Sequence, residues 1–111
     1  MRVISQDGTI DVPYEIGSLT IAVGKYENVE HAVIFCYNYS TSMGTKMAEY
    51  GSKEKAKKAM EMLRIVYENN EFYHHTANSE HFTEFTKALS EEMFKKATSE
   101  YFQFPTEEEL E

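Results

Sequence analysis

The sequence predicts an α+β fold: an N-terminal antiparallel β-meander followed by two α-helices and a short C-terminal strand. Three observations carry this expectation. Up to Gly51 the chain consists of β-prone runs separated by turn dipeptides. From Ser52 the apolar residues recur at helical spacing instead. At YFQFP (101–105) the pattern returns to alternation. A chain of 111 residues has room for one core. Residues 1–105 are therefore expected to form a single domain, and the acidic 106–111 a disordered tail.

The opening RVISQDGTIDVPYE reads as a β-hairpin, because Gly8 of Asp7-Gly8 readily adopts the positive φ of a tight turn. That turn sets Val3 opposite Val12 and Ser5 opposite Ile10, with Val3, Ile10 and Val12 on one face. Pro13 has no amide hydrogen to donate and ends the ladder. LTIAVGKY (19–26) alternates as a half-buried strand, and Glu27-Asn28 is the turn that follows. HAVIFCYNY (31–39) is a more continuous apolar run, expected as a central strand covered on both faces. After the polar loop 40–45, TKMAEYGS supplies a fourth strand ending at Gly51.

Ser52 caps the first predicted helix, and Glu54 sits in the first turn, where the helix dipole favours an acid. Ala56, Ala59, Met60, Leu63, Val66 and Tyr67 form its buried stripe, and Asn69-Asn70 its end. A second helix is predicted after Asn78-Ser79, with Phe82, Phe85, Leu89 and Met93 on one face and Lys95 and Lys96 near its C-terminus. YFQFP then forms a strand with two faces. Phe102 and Phe104 close the core, and Tyr101 and Gln103 face a partner subunit or a bound molecule.

Composition narrows the function classes. The formal net charge of −8 argues against general binding to nucleic-acid phosphates. Acids alternate with lysines along most of the chain, as on a solvated surface, which disfavours a DNA mimic. Cys36 is the single cysteine, so no intrachain disulfide or cysteine zinc site forms, and its apolar setting predicts an inert buried thiol. No signal peptide or long apolar run is present, which predicts a cytoplasmic protein without a membrane partner. Eight Tyr, seven Phe and six Met provide an adaptable surface on which a homo-oligomer is expected.

Chemistry-bearing motifs are few. Glu71, His74, His75 and His81 cluster in sequence, but adjacent histidines point apart unless the chain bends, and polar loop histidines are the favoured reading. No nucleophile elbow, Walker loop or GxGxxG is present, so neither catalytic residues nor a cofactor are assigned. What remains is a set compatible with holding a nucleotide. Arg2 and Arg64, the two arginines, suit phosphate. Phe72, Phe82 and Tyr101 offer rings for stacking, while Asn78 and Gln103 carry the paired donor and acceptor that read a base edge. Each is individually more often a core or surface residue than a ligand contact.

Three blocks, MRVISQDGTIDVPYE, AEYGSKEKAKKAMEMLR and YFQFPTEEEL, resemble small proteins of phages and prophages of Firmicutes. These in turn resemble the first family of Thoeris anti-defence proteins, viral sponges that hold glycocyclic ADP-ribose signals without cleaving them. The resemblance implies an N-terminal antiparallel sheet with C-terminal helices, oligomers with pockets near subunit interfaces, a cyclic nucleotide as partner and the infected bacterial cytoplasm as location. The alternative is an acidic inhibitor that binds a host defence enzyme such as a CRISPR nuclease.

Overall fold

The computed structural model describes residues 1–38, 44–76 and 101–110. Strand β1 (Arg2–Ile4) pairs antiparallel with β2 (Asp11–Pro13), and Val3 stands opposite Val12 as expected. The turn between them is held by Asp7, whose carboxylate accepts from the Thr9 amide at 3.0 Å, the Thr9 hydroxyl at 2.6 Å and the Ser5 hydroxyl at 2.7 Å. Gly8 takes φ 78°, a conformation that favours a residue without Cβ.

The expected single meander is replaced by two three-stranded sheets. After Pro13 a 3-10 turn (Tyr14–Ile16) redirects the chain, and a second sheet begins: β3 (Gly17–Tyr26), β4 (Val29–Asn38) and β5 (Thr45–Tyr50), all antiparallel. The closing strand β6 (Tyr101–Gln103) joins the first sheet parallel to β1, so that sheet is mixed. Parallel neighbours need a long crossover, and the whole intervening chain supplies it.

Strand β4 is central, yet only one of its faces is buried. Ala32, Ile34 and Cys36 point inward, whereas Val33 and Phe35 are half-covered and Tyr37 is exposed. The expectation of cover on both faces fails because the helix lies on one side of the sheet. That helix, α1 (Lys53–Thr76), is the one α-helix among the described residues, where two were expected. The second expected helix falls on residues outside those described. Helix α1 also continues past Asn69-Asn70, because Asn70 is buried and tertiary packing outweighs its weak helix propensity.

Packing follows the small residues. Ala56 and Ala59 are fully buried and let α1 approach the inner face of the second sheet closely, with Leu63 buried one turn on. Val66 and Val12 pack on the same cluster as Val3, Phe102 and Phe104, so both sheets share one core with α1. Phe102 and Phe104 meet edge to face, with ring centroids 5.4 Å apart.

The tail is also ordered where it is described. Glu108–Leu110 form a 3-10 turn and Leu110 is buried, so the predicted disorder does not hold there. Glu107 accepts from the Gly51 amide at 2.8 Å and from Lys55 at 3.1 Å, and Lys58 donates to the Leu110 carbonyl. Anchoring on the start of α1 offsets the acidity that made the segment read as solvated.

Candidate functional site

Alternation along β6 sends Phe102 into the core and leaves Tyr101 and Gln103 outside, with Tyr101 58% exposed. The parallel register places Arg2 beside Tyr101 and Ile4 beside Gln103. Arg2, Tyr101 and Gln103 thus share one face of the first sheet. Alongside β6 runs a stripe of α1, Met62, Ile65, Val66 and Asn69, at the i, i+3, i+4, i+7 spacing that puts residues on one helix face. Between the strand and this stripe lies an open groove of about 370 Å³.

The groove has an apolar floor and a few polar heads. Met62, Ile65, Val66 and Phe102 supply the floor; the Tyr101 phenol and the Asn69 and Gln103 amides supply the heads. Such a lining suits a flat apolar ring with hydrogen-bonding edges. Gln103 also leans towards the first turn, its Nε2 donating to the Ser5 carbonyl at 3.4 Å, the long end of a hydrogen bond. Phe72, three residues beyond Asn69, extends the same stripe and is 50% exposed.

The two arginines part company. Arg2 donates through Nε to Asp11 at 2.7 Å and through Nη2 to the Asp11 carbonyl at 3.3 Å. Both side chains are half exposed, so the pair is weak and an anion can displace Asp11 at little cost. Arg64 lies two positions from Met62, about 200° round the helix. It lines a different groove of about 350 Å³ with Tyr14, Glu15, Gly17, Leu19, Met60 and Leu63. There the Tyr14 and Tyr67 rings stack at 4.2 Å, and Glu15 holds the Met1 ammonium at 2.8 Å, a hydrogen bond that keeps its carboxyl below the usual range. One bound phosphate therefore does not bridge Arg64 and the Tyr101 groove.

Of the seven residues chosen from sequence, Tyr101 and Gln103 line one groove, with Arg2 and Phe72 at its margins. Arg64 is elsewhere, and Asn78 and Phe82 lie outside the described residues. Helix α1 passes through His74 and His75, so they do not sit in a bent loop; His81 is outside the description. Among the described residues no group of three metal-binding side chains converges. Cys36 is buried, and desolvation pushes its thiol up, away from the reactive thiolate.

Sequence reasoning missed Met62, Ile65 and Asn69. The signal was available: Met62 and Ile65 are apolar yet fall outside the buried stripe through Ala56, Ala59 and Leu63. Two apolar residues on the second side of a helix mark a second packing surface. No protein-family model, characterised protein or solved structure matches this chain.

Proposed function

We propose that the protein is a phage anti-defence sponge that binds a cyclic nucleotide immune signal of the glycocyclic ADP-ribose type and holds it intact in the cytoplasm of the infected bacterium. The observation that carries this reading is the convergence at β6 of an exposed tyrosine ring and two amide heads over an apolar floor. The ring stacks a base, and the amides of Gln103 and Asn69 pair with its edge. Arg2, beside Tyr101 in the sheet, is the nearest arginine in register for a pyrophosphate. The sequence resemblance supports the same class of ligand. Sequestration asks for affinity and slow release, with no bond broken.

The test incubates the purified protein with lysate containing a TIR-derived signal, washes it, denatures it by heat and identifies released molecules by mass spectrometry. Retained nucleotide, lost in Tyr101→Ala but kept in Arg64→Ala, is the expected result. A protein that retains no nucleotide and leaves effector activation in the filtrate unchanged sinks the reading.

A second reading, an acidic inhibitor of a host defence enzyme, is favoured by one separate feature. At the tip of the β3–β4 ribbon Tyr26 is 70% and Val29 55% exposed, on a chain of net charge −8. Apolar anchors within an acidic field suit docking onto a basic protein. Capture of a host nuclease that fails with Tyr26→Ser would support it over the sponge.

A further inference from the structure

Among the described residues strand β3 is the outermost of its sheet, since the order β3-β4-β5 gives one of its edges no described neighbour. The two-residue turn Glu27-Asn28 makes Tyr26 and Val29 the pair that closes the ladder. In such a hairpin the closing pair is hydrogen-bonded and the pattern then alternates. The even positions of β3 therefore bond to β4. The amides and carbonyls of Gly17, Leu19, Ile21, Val23 and Lys25 point to the open edge, where no described hydrogen bond engages them.

Edge strands are ordinarily kept from pairing by shortness, proline, bulges or several charges. β3 has none of these. It spans ten residues, GSLTIAVGKY, with one charge, Lys25. The one irregularity of this sheet lies on the far side, between β4 and β5. Unpaired backbone groups in a row are met geometrically by another extended strand and by no other element.

We propose that the open edge of β3 pairs antiparallel with β3 of a second copy of this chain, joining two three-stranded sheets into one of six strands. Charge selects the second copy. The protein carries a net charge of −8, yet Gly17–Tyr26 contains no acidic residue, so along the paired stretch no acid faces an acid. Shape selects the register. A two-fold axis at Ile21 sets Leu19 opposite Val23 of the partner subunit and Gly17 opposite Lys25 of the partner subunit. Val23, 47% exposed on the inner side of the ribbon, then gains an apolar neighbour, and the one charged side chain meets a glycine. The pairing uses β3 from Gly17 to Lys25 and leaves the groove at β6 untouched.

Sedimentation equilibrium of the full chain tests this, with circular dichroism confirming the fold of each variant. The expected mass is twice 12.9 kDa. Val23→Lys alters an already exposed position and is expected to raise the dimer dissociation constant by at least about tenfold, since a desolvated charge at the pairing edge is unfavourable. In a Cys36→Ala background, Thr20→Cys with Ala22→Cys places two thiols opposite their partner's in a non-hydrogen-bonded pair, and mild oxidation is expected to give a covalent dimer. A monomer at every concentration, or a dimer that Val23→Lys leaves intact, overturns the proposal. So does a failure of the cysteine pair to cross-link in a chain that is otherwise dimeric.

Discussion

Asp7 shows how much a single side chain does in this fold. Its carboxylate gathers two hydroxyls and one amide within the first turn, and these bonds, led by that from the Thr9 hydroxyl, lower its pKa from 3.8 to about 2. The unfolded chain then holds more protons than the folded one between those values, so stability rises with pH across that window. The contribution is complete above 3.8 and is lost as the pH falls through about 2. Urea midpoints measured from pH 5 down to pH 2 should therefore fall more steeply in the wild type than in Asp7→Ala; parallel slopes would show that the turn does not depend on the charged form. Cys36 gives a second expectation at this scale. Buried against Gly17, where a Cβ would come within 2.9 Å of its sulfur, it should react with a thiol reagent at neutral pH only through opening of the sheet. Labelling as fast in native buffer as in denaturant would contradict that. Its burial was legible in the sequence because it lies within a continuous apolar run, AVIFCY, of the kind spent on a central strand. The separation of Arg64 from Tyr101 was not, because it depends on how α1 is rotated against two sheets at once.

At the scale of elements, local chemistry was the readable part. Both hairpin turns and the register Val3–Val12 followed from dipeptides and alternation, which act over a few residues. The Glu27-Asn28 turn carries a cost, because Glu27 has a β-carbon and yet sits at φ 51°. Asn tolerates this region better, so Glu27→Asn should stabilise the ribbon by about 0.5–1 kcal/mol. Slower amide exchange at β3 and β4 residues beside the turn is the measurement, and unchanged exchange would show the strain to be negligible. The tail was misread because its composition is that of a solvated segment, while its order depends on α1. Glu107 caps the approach to the helix and Leu110 is 5% exposed in the core cluster. Leu110→Ala should cost about 2 kcal/mol, the low end for a buried leucine at the edge of a core. Thermal denaturation reads it, and a change within error would mean the tail contributes little.

For the whole molecule, what the sequence could not reveal was long-range pairing. Nothing local in YFQFP specifies a parallel partner nearly the full chain length away, and strand alternation is silent on which sheet receives it. Hydrogen bonds between the two sheets gather at Gln6, whose backbone amide donates to the Met47 carbonyl at 2.7 Å, and at the carbonyl of Pro105. The Pro105 carbonyl accepts from the Tyr50 hydroxyl at 2.7 Å and from Gln6 Nε2 at 3.2 Å, while Gln6 Oε1 accepts from the Glu49 amide at 3.0 Å. Tyr50 belongs to the second sheet, Gln6 follows β1 of the first, and Pro105 follows β6. The site is buried at Tyr50, where desolvation, followed by the Glu109 and Glu107 charges, pushes the phenol well above its usual range and keeps it a donor. A shared acceptor implies a specific non-additivity. Tyr50→Phe alone leaves the Pro105 carbonyl satisfied by Gln6, so it should cost about 1 kcal/mol. Gln6→Met alone leaves Tyr50 in place but strips the Glu49 amide, and should cost somewhat more. Together they leave the carbonyl with neither donor. The double variant should therefore lose about 1–2 kcal/mol beyond the sum of the singles, the penalty for an unmet buried acceptor. Chemical denaturation of the four proteins closes the cycle. Additive losses would mean that water replaces both donors and that the sheets are held together by the apolar cluster and the Gln6–Met47 backbone bond. A coupling of the expected size, with both sheets melting in one transition, would make the Pro105 carbonyl one of the points through which they fold as a unit, beside the Gln6–Met47 bond and the shared core.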